Sequence, residues 1–94
     1  MLYTIHMTEA EAKTQLEAEG CRNISAWLDS PDFFYSDHSH TEATSHIVVS
    51  GRMSLTMNGV EHQLGPGDRI DIPAMTIHSV VMGPAGCTYV SGDK

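Results

Sequence analysis

The sequence predicts an all-β domain of the sandwich or barrel kind, preceded by one short α-helix. From residue 21 onward, apolar and polar residues alternate as they do in strands with one buried face. Turn-forming residues recur about every eight to twelve positions, which is typical of all-β sandwiches and barrels. The chain has 94 residues, and compact domains usually contain about 50 to 250. We therefore expect a helical extension over residues 1–20 and a single β-barrel over residues 21–94.

The N-terminal helix is predicted from its two ends. Thr8-Glu9-Ala10-Glu11 is a capping box, in which the Thr hydroxyl and the second Glu satisfy each other's backbone amides. Gly20 is a natural stop, so the helix is expected near residues 9–19. Its apolar residues are few and small among many charged ones, which indicates that it lies on a surface.

The first strands are predicted from β-branched and aromatic residues that stand between turn formers. Ile24–Leu28 ends at the turn over residues 29–32, and the next strand covers residues 33–38. A further strand runs over His46–Ser50, and Gly51 is expected to close it. Trp27, Phe33, Phe34 and Tyr35 are interpreted as barrel wall, although residues just before His38 can line a pocket.

A β-hairpin is the clearest local feature of the second half. Met53–Met57 alternates, Asn58-Gly59 supplies the two positive-φ residues of a type I′ turn, and Val60–Leu64 alternates on the return. The apolar positions of Met53–Met57 are interpreted as flexible core filler rather than a copper site.

The last strands follow three further turns. Residues 65–68 turn into Arg69–Ile72, and His78–Met82 forms the next strand. Gly83-Pro84-Ala85-Gly86 is expected to turn again before a final strand over Cys87–Val90.

Charge and hydropathy exclude several classes of partner. Five Lys and Arg residues stand against 12 Asp and Glu, for a net charge of −7, which repels nucleic acid and anionic lipid surfaces alike. No apolar stretch approaches the roughly 18–20 residues that cross a bilayer, and no secretory signal pattern begins the chain. We expect a cytoplasmic protein with no membrane partner.

Chain length and cysteine usage predict two further properties. A chain of this size buries only about 60–65% of the surface that its unfolded form exposes, so pairing with a second copy would help to stabilise it. A homodimer is therefore expected. Cys21 and Cys87 form no Cys-x-x-Cys pair; two reduced thiols are favoured over a disulfide that joins the two ends.

Candidate metal ligands are found among the six histidines. His38 and His40 are separated by one residue, so in a strand they project from the same face. Two adjacent imidazoles can occupy two positions of Zn²⁺, Fe²⁺, Mn²⁺, Ni²⁺ or Cu²⁺, and the pair needs a third ligand. His6 and His62 carry less weight as ligands.

The residues around this pair match two motifs. His38-Ser39-His40 is followed by a hydrophobic strand into Gly51, and a second segment runs from Gly67 through Pro73 to His78. Together they resemble the two motifs of the cupin family, and the chain is similar to small stand-alone cupins with a short N-terminal helix. The resemblance covers roughly residues 33–82, with Met75 in place of the usual Gly.

This resemblance implies a double-stranded β-helix, or jelly-roll, barrel that holds one divalent metal ion through His38, His40 and His78. The sequence departs from the family at Thr44, which stands where the family has a glutamate ligand. Three groups could replace the glutamate as the fourth metal ligand: water, which is preferred, then His46, then Glu42. Three neutral imidazoles leave the charge of the ion uncompensated, which favours an acidic ligand or substrate.

The resemblance does not select one function. One reading is a metal-dependent enzyme, such as a non-haem iron oxygenase or an isomerase, that acts on a small polar or acidic molecule. The others are a binding or sensing module without turnover and a metal-free structural barrel. Catalytic residues stay unassigned, because Glu42 and His46 are the nearest acid–base candidates and each has an alternative role.

Overall fold

A computed structural model describes residues 7–94 of the chain. Those residues contain one helix and six strands, namely α1 (Glu9–Ala18), β1 (Arg22–Asp29), β2 (Phe34–His38), β3 (Thr44–Met57), β4 (Val60–Leu64), β5 (Arg69–Ile72) and β6 (His78–Asp93). The predicted all-β class with one short helix is confirmed. His6 lies outside the described residues. Within the described part of the chain, no helix has the length and apolar character to cross a membrane.

The strands form two antiparallel sheets that share the long strands β3 and β6. In the first sheet, β1 pairs with residues 87–93 of β6, and β5 pairs with residues 44–47 of β3. In the second sheet, β2 pairs with residues 78–81 of β6, and β4 pairs with residues 53–57 of β3. Because β3 and β6 also pair with each other, the strand orders are β1-β6-β3-β5 and β2-β6-β3-β4.

Two predicted strand ends are wrong, because β3 and β6 continue through the positions where turns were expected. Gly51 lies inside β3, and residues 83–86 lie inside β6. Gly51 and Gly86 adopt positive φ angles of 75° and 79°, and a Cβ on Gly51 would stand 2.1 Å from the Gly86 carbonyl oxygen. These glycines therefore bend two continuous strands from the first sheet into the second, at a point where two backbones approach closely.

The predicted hairpin is confirmed. Asn58 and Gly59 have φ angles of 53° and 75°, as a type I′ turn requires. Met57 pairs with Val60 directly across the turn, and β4 has the predicted bounds.

Apolar side chains form two separate clusters. The larger lies between the two sheets and contains Val48, Met53, Leu55, Leu64, Ile70, Ile72, Val80, Met82, Cys87 and Tyr89. The smaller joins Ala12 and Leu16 of α1 to Ile47 and Val90. Helix α1 thus covers the outer face of the first sheet, in agreement with its predicted surface position.

The strand register separates the two thiols. Cys21 directly precedes Arg22, which lies opposite Asp93, whereas Cys87 lies opposite Asp29 at the other end of β1. Strands rise about 3.3 Å per residue, so the cysteines stand roughly 20 Å apart along the strand direction. A disulfide needs Cα atoms within about 7 Å. Both cysteines are free, and the disulfide alternative is wrong.

Side-chain hydrogen bonds fix both ends of α1. Thr8 Oγ1 accepts the Glu11 N–H, and Glu11 Oε1 accepts the Thr8 N–H, each at 3.1 Å, so the predicted capping box is present. Beyond the other end, Glu19 accepts two hydrogen bonds from the Arg69 guanidinium, at 2.5 and 2.6 Å. Arg69 also donates to Ser45 Oγ at 3.1 Å. This contact joins the end of the helix to β5 and β3.

The Glu19–Arg69 ion pair is expected to make stability depend on pH. Hydrogen bonds from Arg69 lower the pKa of Glu19 from 4.5 to about 2. Because the pKa of Glu19 is lower in the folded state, the ion pair's contribution to the free energy of unfolding is complete above about pH 4.5. That contribution is lost as the pH falls towards about 2. We predict that Arg69→Met lowers the urea midpoint at neutral pH and that this difference from wild type shrinks near pH 2.

The matched control is Lys13→Met, which removes an exposed pair between Lys13 and Glu9 and should change the midpoint little at either pH. Urea unfolding curves at the two pH values, followed by circular dichroism, test the prediction. If Arg69→Met lowers the urea midpoint by the same amount at both pH values, the Glu19–Arg69 pair is not the source of the pH dependence.

Candidate metal centre

Three of the predicted site residues come together at one end of the barrel. The ring centroids of His38 and His78 lie 4.2 Å apart, those of His38 and His40 5.0 Å, and those of His40 and His78 5.1 Å. One ring nitrogen from each histidine lies within 4.8 Å of the others. The cluster predicted from the two motifs is therefore present, and it has the donor set of a metal site.

The strand register and one loop contact produce this convergence. His38 ends β2 and His78 begins β6, and the two residues lie directly opposite each other in the second sheet. His40 follows β2 in a loop, where its carbonyl oxygen accepts the Met75 N–H at 2.7 Å. His78 is buried with 2% of its surface exposed, His38 is half-buried and His40 is exposed. The cluster thus has a buried side and an open side.

Backbone carbonyl groups orient two of the rings. His38 Nδ1 lies 2.7 Å from the Ser36 carbonyl oxygen, and His78 Nδ1 lies 2.9 Å from the Thr76 carbonyl oxygen. A carbonyl oxygen only accepts hydrogen bonds, so each Nδ1 carries the proton. The lone pair then resides on Nε2, which is the arrangement of a metal-ligating histidine whose other nitrogen is held by a second group.

Electrostatics favour neutral imidazoles in this part of the molecule. Partial desolvation of its ring lowers the pKa of His40, with a further contribution from His38 and His78, while the Asp93 carboxylate opposes the shift. Burial also lowers the pKa of His46 to about 4, with His78 and His40 contributing. Neutral imidazole is the form that binds a metal ion, so His40 stays competent as a ligand below its ordinary pKa.

Met75 holds the loop beside His40 in an unusual backbone conformation. Its φ is +62°, in the left-handed region that costs a residue with a Cβ roughly 1–2 kcal/mol. Met75 stands where the cupin resemblance has glycine, which adopts this conformation without that cost. Its side chain is 67% exposed, so the side chain offers little packing in return.

We predict that Met75→Gly raises the free energy of unfolding by roughly 0.5–1 kcal/mol, since relief of the backbone conformation outweighs the extra freedom of glycine in the unfolded chain. Metal affinity should not change, because the N–H to His40 is retained. Ala74→Gly is the matched control and should lower stability by a few tenths of a kcal/mol. Chemical denaturation of both variants is the measurement, and a less stable Met75→Gly would refute this account of the loop.

The two side-chain substitutes for the missing glutamate, Glu42 and His46, differ in their placement. Glu42 pairs with Arg22 at 3.6 Å, and both side chains are largely exposed. Thr44 and His46 lie two residues apart on β3, and Thr44 Oγ1 and His46 Nδ1 are buried without a hydrogen-bond partner. Among the described residues, the group of His, Cys, Asp and Glu side chains close enough to share an ion contains His38, His40 and His78. Neither Glu42 nor His46 joins it.

The histidine cluster opens into a cavity of about 420 Å³ between the two sheets. Besides the three histidines, the lining contains Asn23, Ser25, Trp27, Tyr35, Thr44, His46, Met53, Leu55, Val80, Met82, Tyr89, Ser91 and Asp93. Trp27 and Tyr35 therefore line the pocket, and 47% of Trp27 is exposed to solvent. Phe33 and Phe34, 46% and 62% exposed, are not among the lining residues. Sequence reasoning missed the polar residues of the first sheet: Asn23, Ser25, Ser91 and Asp93.

The strand register brings these four residues together on one sheet. Ser25 lies opposite Ser91, and Ser91 lies opposite His46 on its other side. Asp93 lies opposite Thr44, and its Oδ2 accepts a hydrogen bond from Asn23 Nδ2 at 2.9 Å. We call Asn23, Ser25, Ser91 and Asp93 the polar wall. It lies on the first sheet, while His38 and His78 lie on the second.

Comparison with known proteins agrees with this architecture. A family model described as the cupin domain matches residues 31–89. A solved cupin superfamily protein from Desulfitobacterium hafniense has a TM-score of 0.69 and 20% identity, over 74% of this chain and 63% of that chain. An RmlC-like cupin from Shewanella frigidimarina has a TM-score of 0.69 and 21% identity, over 74% and 62%. The DMSP lyase DddQ from Ruegeria pomeroyi has a TM-score of 0.63 and 20% identity, over 76% and 38%.

These likenesses establish the fold. The chain spans less than two thirds of the length of each of these solved proteins. A search of curated protein sequences gives no significant match.

Proposed function

Since the chain belongs to the cupin family, we propose that it is a small metalloprotein that holds one divalent cation through His38, His40 and His78. The observation that carries the proposal is the convergence of three ring nitrogens within 4.8 Å, two of them on rings oriented by backbone carbonyl groups. Imidazole ligands accept Fe, Mn, Ni, Zn and Cu, so the donor set does not single out one metal.

We further propose that the site binds a small polar or acidic molecule. Three neutral protein ligands leave at least one coordination position for solvent or an exogenous group, as in catalytic zinc sites. When bound, a divalent ion supplies Lewis acidity and lowers the pKa of a coordinated water. The cavity beside the cluster has room for a small molecule, at about 420 Å³.

The chain's own residues prepare this cavity in three ways. The Ser36 and Thr76 carbonyl oxygens hold the rings of His38 and His78. Met53, Leu55, Val80 and Met82 are buried and line the cavity with apolar surface. His46 contributes a neutral imidazole beside the cluster, because burial lowers its pKa to about 4.

A second candidate function, catalysis by a metal-dependent oxygenase or isomerase, rests on His46. His46 lies in the same cavity as the ligands, and its Nδ1 has no hydrogen-bond partner among the described residues. It is therefore placed to exchange a proton with a bound substrate, as a weak base with a pKa of about 4. Oxygen consumption by the iron-loaded protein, across a panel of thiols, diketones and small acids, distinguishes an oxygenase from a binding module. Turnover that His46→Gln abolishes while metal content is unchanged would support catalysis.

The proposed function is tested by cobalt substitution of the untagged protein. One Co²⁺ per chain should bind and give a visible spectrum, and sodium azide should change that spectrum by occupying the open position. If the histidines bind the cobalt ion but azide leaves the spectrum unchanged, a fourth protein ligand occupies the position proposed to be open. Failure to bind Co²⁺ or Zn²⁺ at one ion per chain would refute the proposal.

A further inference from the structure

The cavity combines a carboxylate with aromatic side chains whose own polar groups are already bonded. Trp27 Nε1 donates to Ser91 Oγ at 2.9 Å. The hydroxyl groups of Tyr35 and Tyr89 both donate to Asp29 Oδ2, at 2.9 and 3.1 Å. These three side chains line the cavity with their N–H and O–H groups engaged. What they offer a ligand is therefore aromatic ring surface.

Asp93 adds a negative charge to this lining. Its Oδ2 accepts one hydrogen bond from Asn23, and a carboxylate has about four lone-pair sites in all. Asn23 itself has a φ of +52°, and the register of β1 with β6 shifts between Arg22 and Ser25. Asparagine tolerates this left-handed conformation better than most residues. The irregularity in β1 thus accompanies a side-chain contact that holds the carboxylate at the cavity.

Among the residues that the structure describes, none that lines the cavity carries a fixed positive charge. Of its lining residues within the described chain, none is Arg or Lys, and Asp93 is the carboxylate among them. Ser25 and Ser91 stand beside Asp93 with hydroxyl oxygens that can accept hydrogen bonds. The chain as a whole carries a net charge of −7, which attracts cations. Carboxylate, hydroxyl oxygens and aromatic faces together form the environment that binds an ammonium group.

We propose that the polar wall and the indole of Trp27 bind a cationic ammonium group, so that the ligand of this cavity is a small zwitterion with an anionic group at its other end. The first half of the proposal, that the histidine cluster holds the anionic end of the ligand, rests on the proposed function. The cationic half, that the polar wall and Trp27 bind the ammonium group, does not, because Asp93 and Trp27 are present whether or not a metal ion is bound.

The cationic half is tested on the metal-free protein with choline chloride. Trp27 is the single tryptophan of the chain, so its fluorescence reports occupancy of the cavity. The neutral probe 3,3-dimethylbutan-1-ol has the shape of choline without the charge. We expect choline to bind about fivefold more tightly than the alcohol, since Trp27 is 47% exposed and a cation over an indole gains about 0.5–1 kcal/mol at such a site.

Asp93→Asn keeps the side-chain shape and removes the charge. It should weaken choline binding about fivefold or more and leave binding of the neutral alcohol unchanged. Asp37→Asn is the matched control, because Asp37 is exposed on β2 and is not part of the cavity lining; it should change neither. Equal affinity for the two probes, or choline binding that Asp93→Asn leaves unaltered, would overturn the cationic half.

The whole ligand class is tested on the zinc-loaded protein with glycine betaine and 3,3-dimethylbutanoate. Both carry a carboxylate, and betaine also carries a quaternary ammonium, so betaine should bind about fivefold more tightly. If azide perturbs the cobalt site but the two acids bind equally, the inference fails and the proposed metal function stands. If choline binds as expected but no metal does, the proposed function fails and the cationic subsite stands.

Discussion

Replacing His78 with alanine is expected to lower the affinity of the protein for Zn²⁺ by about 100-fold or more. Loss of a group that merely orients a ligand typically costs 10- to 100-fold, and His78 is a proposed ligand itself. It is also the buried member of the cluster, with 2% of its surface exposed, and it lies opposite His38 in the sheet. His38→Ala should have an effect of similar size.

The measurement is a competition titration of Zn²⁺ against a chromophoric chelator at neutral pH. His62→Ala is the matched control, because His62 lies on β4 opposite Leu55 and outside the cluster; its affinity should equal that of wild type. Since a buried side chain is removed, the unfolding curve of metal-free His78→Ala is recorded as well. A folded His78→Ala protein that binds Zn²⁺ as wild type does would rule out His78 as a ligand.

The second large effect is expected at the bend in β3. A Cβ on Gly51 would stand 2.1 Å from the Gly86 carbonyl oxygen, and one on Gly86 would stand 2.6 Å from the Asp29 carbonyl oxygen. These contacts are with backbone, which cannot move aside without separating the strands. We predict that Gly51→Ala lowers the free energy of unfolding by about 4 kcal/mol or more, a large part of the 5–15 kcal/mol that holds a domain folded.

Gly59→Ala distinguishes this close approach from backbone conformation alone. Gly59 has the same φ of 75° as Gly51, but a Cβ there would meet nothing within 4 Å. Gly59→Ala should lower the free energy of unfolding only by the strain of a left-handed residue with a Cβ, about 1–2 kcal/mol. Guanidinium unfolding of both variants is the measurement, and equal losses for Gly51→Ala and Gly59→Ala would contradict the proposed role of the bend.

These two glycines also show why part of the fold was predictable and part was not. The Asn58-Gly59 turn is a local feature, since the two turn residues and the strands beside them are contiguous in the chain. Gly51 was expected to end a strand because glycine commonly does so. Its actual role depends on Gly86, which is distant in sequence and close in space. No local pattern contains that contact.

The same distinction applies to the site. His38, His40 and His78 were identified through the two motifs that carry the cupin resemblance. The polar wall was missed because Asn23 and Ser25 reach Ser91 and Asp93 only through the pairing of β1 with β6. Alternation does place each of these residues on one face of its strand, but nothing local shows which face is inward. The domain boundary at residue 20, the homodimer and the cytoplasmic location stay predictions.

The central claim, that three histidines hold one metal ion with an open position, is tested most directly by X-ray absorption at the zinc edge of the zinc-loaded protein. The expected spectrum contains three imidazole ligands at about 2.0–2.1 Å and one further light atom, which added azide replaces. A sulfur shell at about 2.3 Å, or a spectrum without imidazole scattering, would contradict it.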